Sequence, residues 1–179
     1  MDDLDRLLRD DKAEDRAVVV GSPEYAALRT RDAARRERVA AVLAEGRGFS
    51  PRERFAAAWI LNHGDTVEEA LRAHELARQA AREGCRKARW LAAAALDRSL
   101  MYAGRPQRYG TNMVPDGVGY RLWDVDDKTT DDERAEWDVP SLAEMQQRAK
   151  ELSARAPQPS LDEAPAWLRA AIKRWNSLS

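Results

Sequence analysis

The chain has 179 residues, 44% of them hydrophobic and 34% charged, with a net charge of −1 and an isoelectric point near 6.2. That size and balance suit one folded domain and exclude bulk electrostatic attraction to nucleic acid or anionic lipid. A single cysteine, Cys85, excludes an internal disulfide framework and a multi-cysteine metal centre, and no run approaches the roughly 18 apolar residues of a membrane span.

Taken in chain order, residues 2–16 read as a weak, highly charged helix without the apolar core of a signal peptide, so a cytoplasmic location is expected. Val18-Val19-Val20 is a short extended piece, stopped by Gly21-Ser22-Pro23. A helix is expected from Glu24 or Thr30 to Ala44, on an apolar stripe of Val39, Val42 and Leu43, and glycines 46 and 48 end it. Ser50-Pro51-Arg52-Glu53 is a capping box with proline in the first turn, and it opens a helix carrying Phe55, Ala58, Trp59 and Leu61 as far as His63-Gly64. Thr66 and Glu69 form a second box, opening a helix to Gly84, and another helix runs from about Arg86 to Ala103 before Gly104. Turns this short predict antiparallel neighbours. Ala77, Ala80 and Ala81 then face Ala88, Ala92 and Ala95 at close range.

Beyond Asn112 the pattern changes. Tyr120–Trp123 is the one convincing strand candidate, following a turn over 114–119. Residues 124–138 hold eight acids against two bases and read as a solvated loop with one helical turn. A helix restarts at Ser141 and runs over 142–154. After the Pro157 and Pro159 linker, a last amphipathic helix carries Trp167, Leu168, Ala171, Ile172 and Trp175. The fold expected is a mostly α single domain of antiparallel helical hairpins, packed as in tetratricopeptide or Sel1-like proteins, with one short irregular β segment near 118–125. It divides into an N-terminal helical region (1–48), a helical core (49–156) and a C-terminal helix (157–179).

Chemistry concentrates between Trp90 and Asn112. The helix there is apolar almost all round, which marks it as buried, yet it carries Asp97 and Arg98, and desolvated charges need partners. Two uses are open for them: clasping the following loop and a nearby carbonyl, or contacting a ligand. The loop itself offers Arg105, Gln107, Arg108, Tyr109, Thr111 and Asn112, a donor and acceptor set suited to a carboxylate, a phosphate or a peptide backbone. The two histidines, His63 and His74, are the candidate general bases. Their spacing is not that of a metal pair, and neither a metal nor a cofactor is expected. Cys85 and Ser99 have no nucleophile context.

These residues carry a family resemblance. The segments LNHGD (61–65), RAHELARQAAREG (72–84), RWLAAAALDRSLMYAGRPQRYGTN (89–112) and TDDERAEWDVPSL (130–142) resemble uncharacterised bacterial proteins of the DUF6624 domain family. That family's His-Gly step, helical Asp-Arg pair and Pro-Gln-x-Tyr-Gly-Thr-Gln loop correspond here to His63-Gly64, Asp97-Arg98 and 106–112. Asn62 and Asn112 stand where the family pattern has glutamine, each keeping the amide one methylene shorter. The combined expectation is a small enzyme, a hydrolase or tailoring enzyme, with His63 or His74 catalytic and Asp97, Arg98, Gln107, Tyr109 and Asn112 binding a polar small molecule or peptide. The alternative is a non-catalytic helical module for peptides or proteins, with a protein partner docking through the C-terminal tryptophan helix and no nucleic-acid or membrane partner.

Overall fold

Serine and threonine oxygens start most of the helices. In a computed structural model describing residues 3–14, 16, 18, 21–162 and 164–177, the second helix, α2 (Pro23–Ala44), follows α1 (Asp3–Ala13) and begins with the Ser22 side chain accepting from the Tyr25 amide. That start is earlier than either sequence reading, because Ser22-Pro23 supplies both an N-cap and a pre-set φ. Both expected capping boxes form, at Ser50/Glu53 for α3 (Pro51–Leu61) and Thr66/Glu69 for α4 (Val67–Arg82). The buried helix is α5 (Ala88–Tyr102). The expected extended run includes Val19 and Val20, which lie outside the described residues.

Helices α3, α4 and α5 stack as successive antiparallel hairpins, with α1 and α2 against the α3 side. Ala77, Ala80, Ala88, Ala92 and Ala95 are fully enclosed between α4 and α5. Small side chains bury little area each, so this contact gains from the close approach of backbones and the many dispersion contacts it brings. Leu4, Val39, Val42, Phe55, Ile60, Leu76 and Leu91 complete the larger core.

The single β segment expected is a hairpin of two short strands. Strand β1 (Met113–Pro115) pairs antiparallel with β2 (Tyr120–Leu122), Val114 opposite Arg121. The turn is set by Asp116, whose side chain accepts from the amides of Val118 and Gly119 at 3.0 and 2.8 Å, with Gly117 at φ +93°. Within the acidic stretch lies α6 (Asp131–Glu136), and α7 (Leu142–Arg155) follows; both are opened by capping boxes. The linker leads to α8 (Ala166–Asn176).

The C-terminal tryptophans, which the interaction-module alternative places on a docking face, are turned inward. Trp175 and Trp167 pack edge-on to Trp123 with centroids 5.6 and 5.5 Å away, and Trp123 is 1% exposed. An indole buries ~150–250 Å², so this second core is the stronger use of the aromatic face. Among the described residues, no helix is long and apolar enough to cross a membrane.

Candidate functional site

Asp97 is fully buried in α5 and faces the loop after Gly104. One carboxylate oxygen accepts from the amides of Arg108 and Tyr109 at 2.7 and 2.9 Å; the other accepts from the Thr111 amide and hydroxyl at 3.0 and 2.8 Å. Burial pushes this carboxyl above its ordinary range, and the four donors pull the other way. Gln107, itself fully buried, knits the same loop to the hairpin. Its amide donates to the carbonyls of Asn112 and Trp123, and its oxygen accepts from the Asn112 amide at 2.9 Å. The Asn112 side chain donates to the Ala94 carbonyl of α5 at 3.2 Å. Tyr109 is buried against Ala93 and Val139, and its carbonyl accepts from Arg134 of α6 at 3.0 Å.

Arg134 was hidden in the sequence. It stands in the run read as a solvated acidic loop, yet its side chain is 2% exposed, and it ties Tyr109, Thr129 and Asp131 together. A lone arginine followed by an apolar residue within an acidic run was the available signal.

The turn between α3 and α4 holds the second constellation. Arg98 donates to the Asn62 carbonyl, Arg29 and Arg36 to the His63 carbonyl at 3.0 and 3.3 Å, and the Tyr102 hydroxyl to the Gly64 carbonyl at 3.1 Å. Three guanidinium groups thus meet the negative end of the α3 dipole and its orphan carbonyls. The Asn62 side-chain oxygen and Arg98 Nε are buried here with no hydrogen-bond partner among the described residues.

The two histidines are not brought together. His63 Nε2 lies 3.2 Å from Asp11 Oδ2 of α1, and Trp59 Nε1 donates to the same oxygen at 2.8 Å. Asp11 and Asp32 are both 1% exposed, and Arg16 and Arg35 pair with both, while Arg29 joins Asp32. Burial tends to raise the Asp11 carboxyl, but the His63 and Trp59 hydrogen bonds and the Arg16 charge hold it below its ordinary range. His74 turns the opposite way, its Nδ1 donating to the Ala92 carbonyl of α5 at 2.8 Å, and burial lowers its pKa. Asp11, Asp32 and their arginines escaped the sequence reading. Spacings of three and four residues (Arg29, Asp32, Arg35, Arg36) were the signal, masked by the high charge of both helices.

A separate cleft of about 290 Å³ opens between β2 and α7, lined by Asp116, Tyr120, Arg121 and Leu122 from the hairpin and Gln146, Ala149 and Lys150 from α7. Among the described residues no three histidine, cysteine or acidic side chains gather as a metal site. Comparison with protein-family models, with curated proteins and with solved structures gives no match.

Two outcomes test this description. Asp97→Ala leaves three loop amides without their acceptor and should cost ~3–5 kcal/mol of unfolding free energy, read from denaturant titration; a loss below ~1 kcal/mol would contradict the clasp. His74 titrates below its ordinary 6.5 in the folded chain, so its contribution to stability is complete above that pH and is lost as pH falls through the lowered value. Thermal scans from neutral pH to about 5 should therefore show a decline that His74→Gln flattens.

Proposed function

We propose that this chain is a non-catalytic binding module and that the cleft between β2 and α7 takes a carboxylate-bearing peptide. The observation that carries this reading is how the polar residues are spent. Asp97, Gln107 and Asn112 direct their side chains to internal partners, as Arg98 does through one guanidinium nitrogen, whereas Arg121 and Lys150 line the cleft. Lys150 is exposed there, and the Arg121 guanidinium lies 4.1 Å over the Trp175 ring, which fixes its plane beside the opening. The carboxylate in the cleft, Asp116, is turned into its own turn by two amide hydrogen bonds. The resulting positive surface suits an acidic side chain or a terminal carboxylate.

Fluorescence anisotropy with an acidic peptide tests this directly. Lys150→Glu should weaken binding about tenfold, and raising salt should weaken it in the unaltered chain as well. Equal affinity for acidic and basic peptides, or no effect of Lys150→Glu, retires the reading.

A second reading rests on one specific pairing. With Nε2 donating to Asp11, the His63 ring keeps Nδ1 as its basic nitrogen, and the side chain is 19% exposed. That is the orientation a carboxylate gives a general base, and it supports a small enzyme of the hydrolase or tailoring kind acting on a polar molecule or peptide. The resemblance to the DUF6624 family and a cytoplasmic location fit either reading. Hydrolysis of a chromogenic ester panel that falls on the order of 10²-fold in His63→Ala supports the enzyme; no hydrolysis by the unaltered chain counts against it.

A further inference from the structure

The hydrogen-bond phase of the β1–β2 ladder fixes which backbone groups the hairpin shows to its neighbours. The Asp116 amide donates to the Gly119 carbonyl at 3.0 Å and the Trp123 amide to the Asn112 carbonyl at 3.1 Å, so the bonded pairs of the register are 116–119, 114–121 and 112–123. Bonded and non-bonded pairs alternate in an antiparallel ladder. The amides and carbonyls of Tyr120 and Leu122 therefore point away from β1, along the outer edge of β2. At Tyr120 that edge is taken by α7: the Ser153 hydroxyl accepts from the Tyr120 amide at 2.6 Å and has the carbonyls of Tyr120 and Ala149 each 3.0 Å away. At Leu122 neither backbone group has a hydrogen-bond partner among the described residues. Leu122 lines the cleft, and α7 lines it with Gln146, Ala149 and Lys150, which share one helix face at i, i+3 and i+4. Ala149 contributes only a methyl there, while Gln146 and Lys150 are exposed.

An unpaired donor and acceptor on a strand edge form a template for one residue of an added strand. The template is short, because the groups of Tyr120 are spent on Ser153 and the Asp124 carbonyl accepts from the Gln107 amide at 2.8 Å. The cleft volume of about 290 Å³ also lies at the lower end of the ~300–1,000 Å³ of ligand pockets. Both limits favour the end of a chain over a strand running through. Side chains of an added strand stand perpendicular to the sheet, whereas its backbone continues along the edge, where Ser153 anchors α7. The carboxylate best placed for Lys150 is therefore the one that follows the paired residue along the backbone. We infer that the ligand of this cleft is the extended C-terminal end of a protein or peptide: its penultimate residue exchanges backbone hydrogen bonds with Leu122, and its α-carboxylate meets Lys150. This inference rests on the carboxylate-peptide reading of the same cleft and adds the source of the carboxylate and the backbone contact.

The test uses the full chain and three fluorescein-labelled hexapeptides of alanine and valine: a free acid without acidic side chains, the same peptide amidated at its C-terminus, and an amidated version with one internal glutamate. By anisotropy the free acid should bind about tenfold more tightly than either amidated peptide, and Lys150→Glu should remove that difference. Methylating the penultimate nitrogen of the free acid removes the donor to the Leu122 carbonyl and should weaken binding about fivefold. In the complex, hydrogen exchange of the Leu122 amide should slow about tenfold, while the Tyr120 amide, already bonded to Ser153, keeps its rate. A glutamate peptide that matches the free acid, with both sensitive to Lys150→Glu, overturns the chain-end inference and leaves the carboxylate reading of the cleft standing. Tight binding of the free acid with unchanged Leu122 exchange and no penalty from methylation overturns the backbone pairing. Binding by none of the three peptides overturns the inference together with the reading beneath it.

Discussion

The C-terminal half of this protein depends on a carboxylate placed inside a helix that is otherwise apolar. Asp97 converts α5 from a plain core helix into a template: its two oxygens collect the loop after Gly104, and the loop in turn supplies the backbone to which Gln107 attaches the hairpin. Burying a charge is costly unless donors surround it. Three amides and a hydroxyl do so here, which explains why the loop is rich in hydrogen-bonding residues and has little slack. The hairpin then presents Trp123, and Trp123 gathers Trp167 and Trp175 into the second core. The acidic stretch is drawn in through Arg134, so loop, hairpin, α6 and α8 all trace back to the one helix.

At the other end of the core the electrostatics run in the opposite sense. The α3–α4 turn presents carbonyls, and arginines from α2 and α5 converge on them. The two from α2 also meet carboxylates: Arg29 pairs with Asp32 and Asp65, and Arg36 with Glu69. Of these three arginines, Arg98 is the one with no ion pair among the described residues. A chain with 30 basic and 31 acidic residues thus spends much of its charge internally, and its near-neutral total conceals a strongly ordered pattern.

That pattern shapes the functional reading. Residues that look reactive in the sequence are largely engaged with the backbone, while Arg121 and Lys150 line the cleft beside β2 and α7. His63 is the exception: its partner Asp11 comes from α1, so the geometry of that imidazole is tied to the seating of α1.

The sequence by itself determined the helices, their caps and their antiparallel order, because capping boxes, glycine stops and alanine faces act over a few residues and leave a local record. The buried character of α5 was legible in its unbroken apolar surface, and the need of Asp97 for partners followed from desolvation. Only the tertiary structure decided which partners those were. Asp97 took loop amides on both oxygens, and Arg98 took the Asn62 carbonyl through one nitrogen. Tertiary contact also sent His63 and His74 to opposite sides of the α3–α4 pair, since a histidine at a turn and one in mid-helix carry no local signal for which neighbour they will face. The same holds for Arg134 and for the Asp11–Asp32 cluster. Such residues are charged in a charged sequence, and burial depends on what the distant chain brings over them.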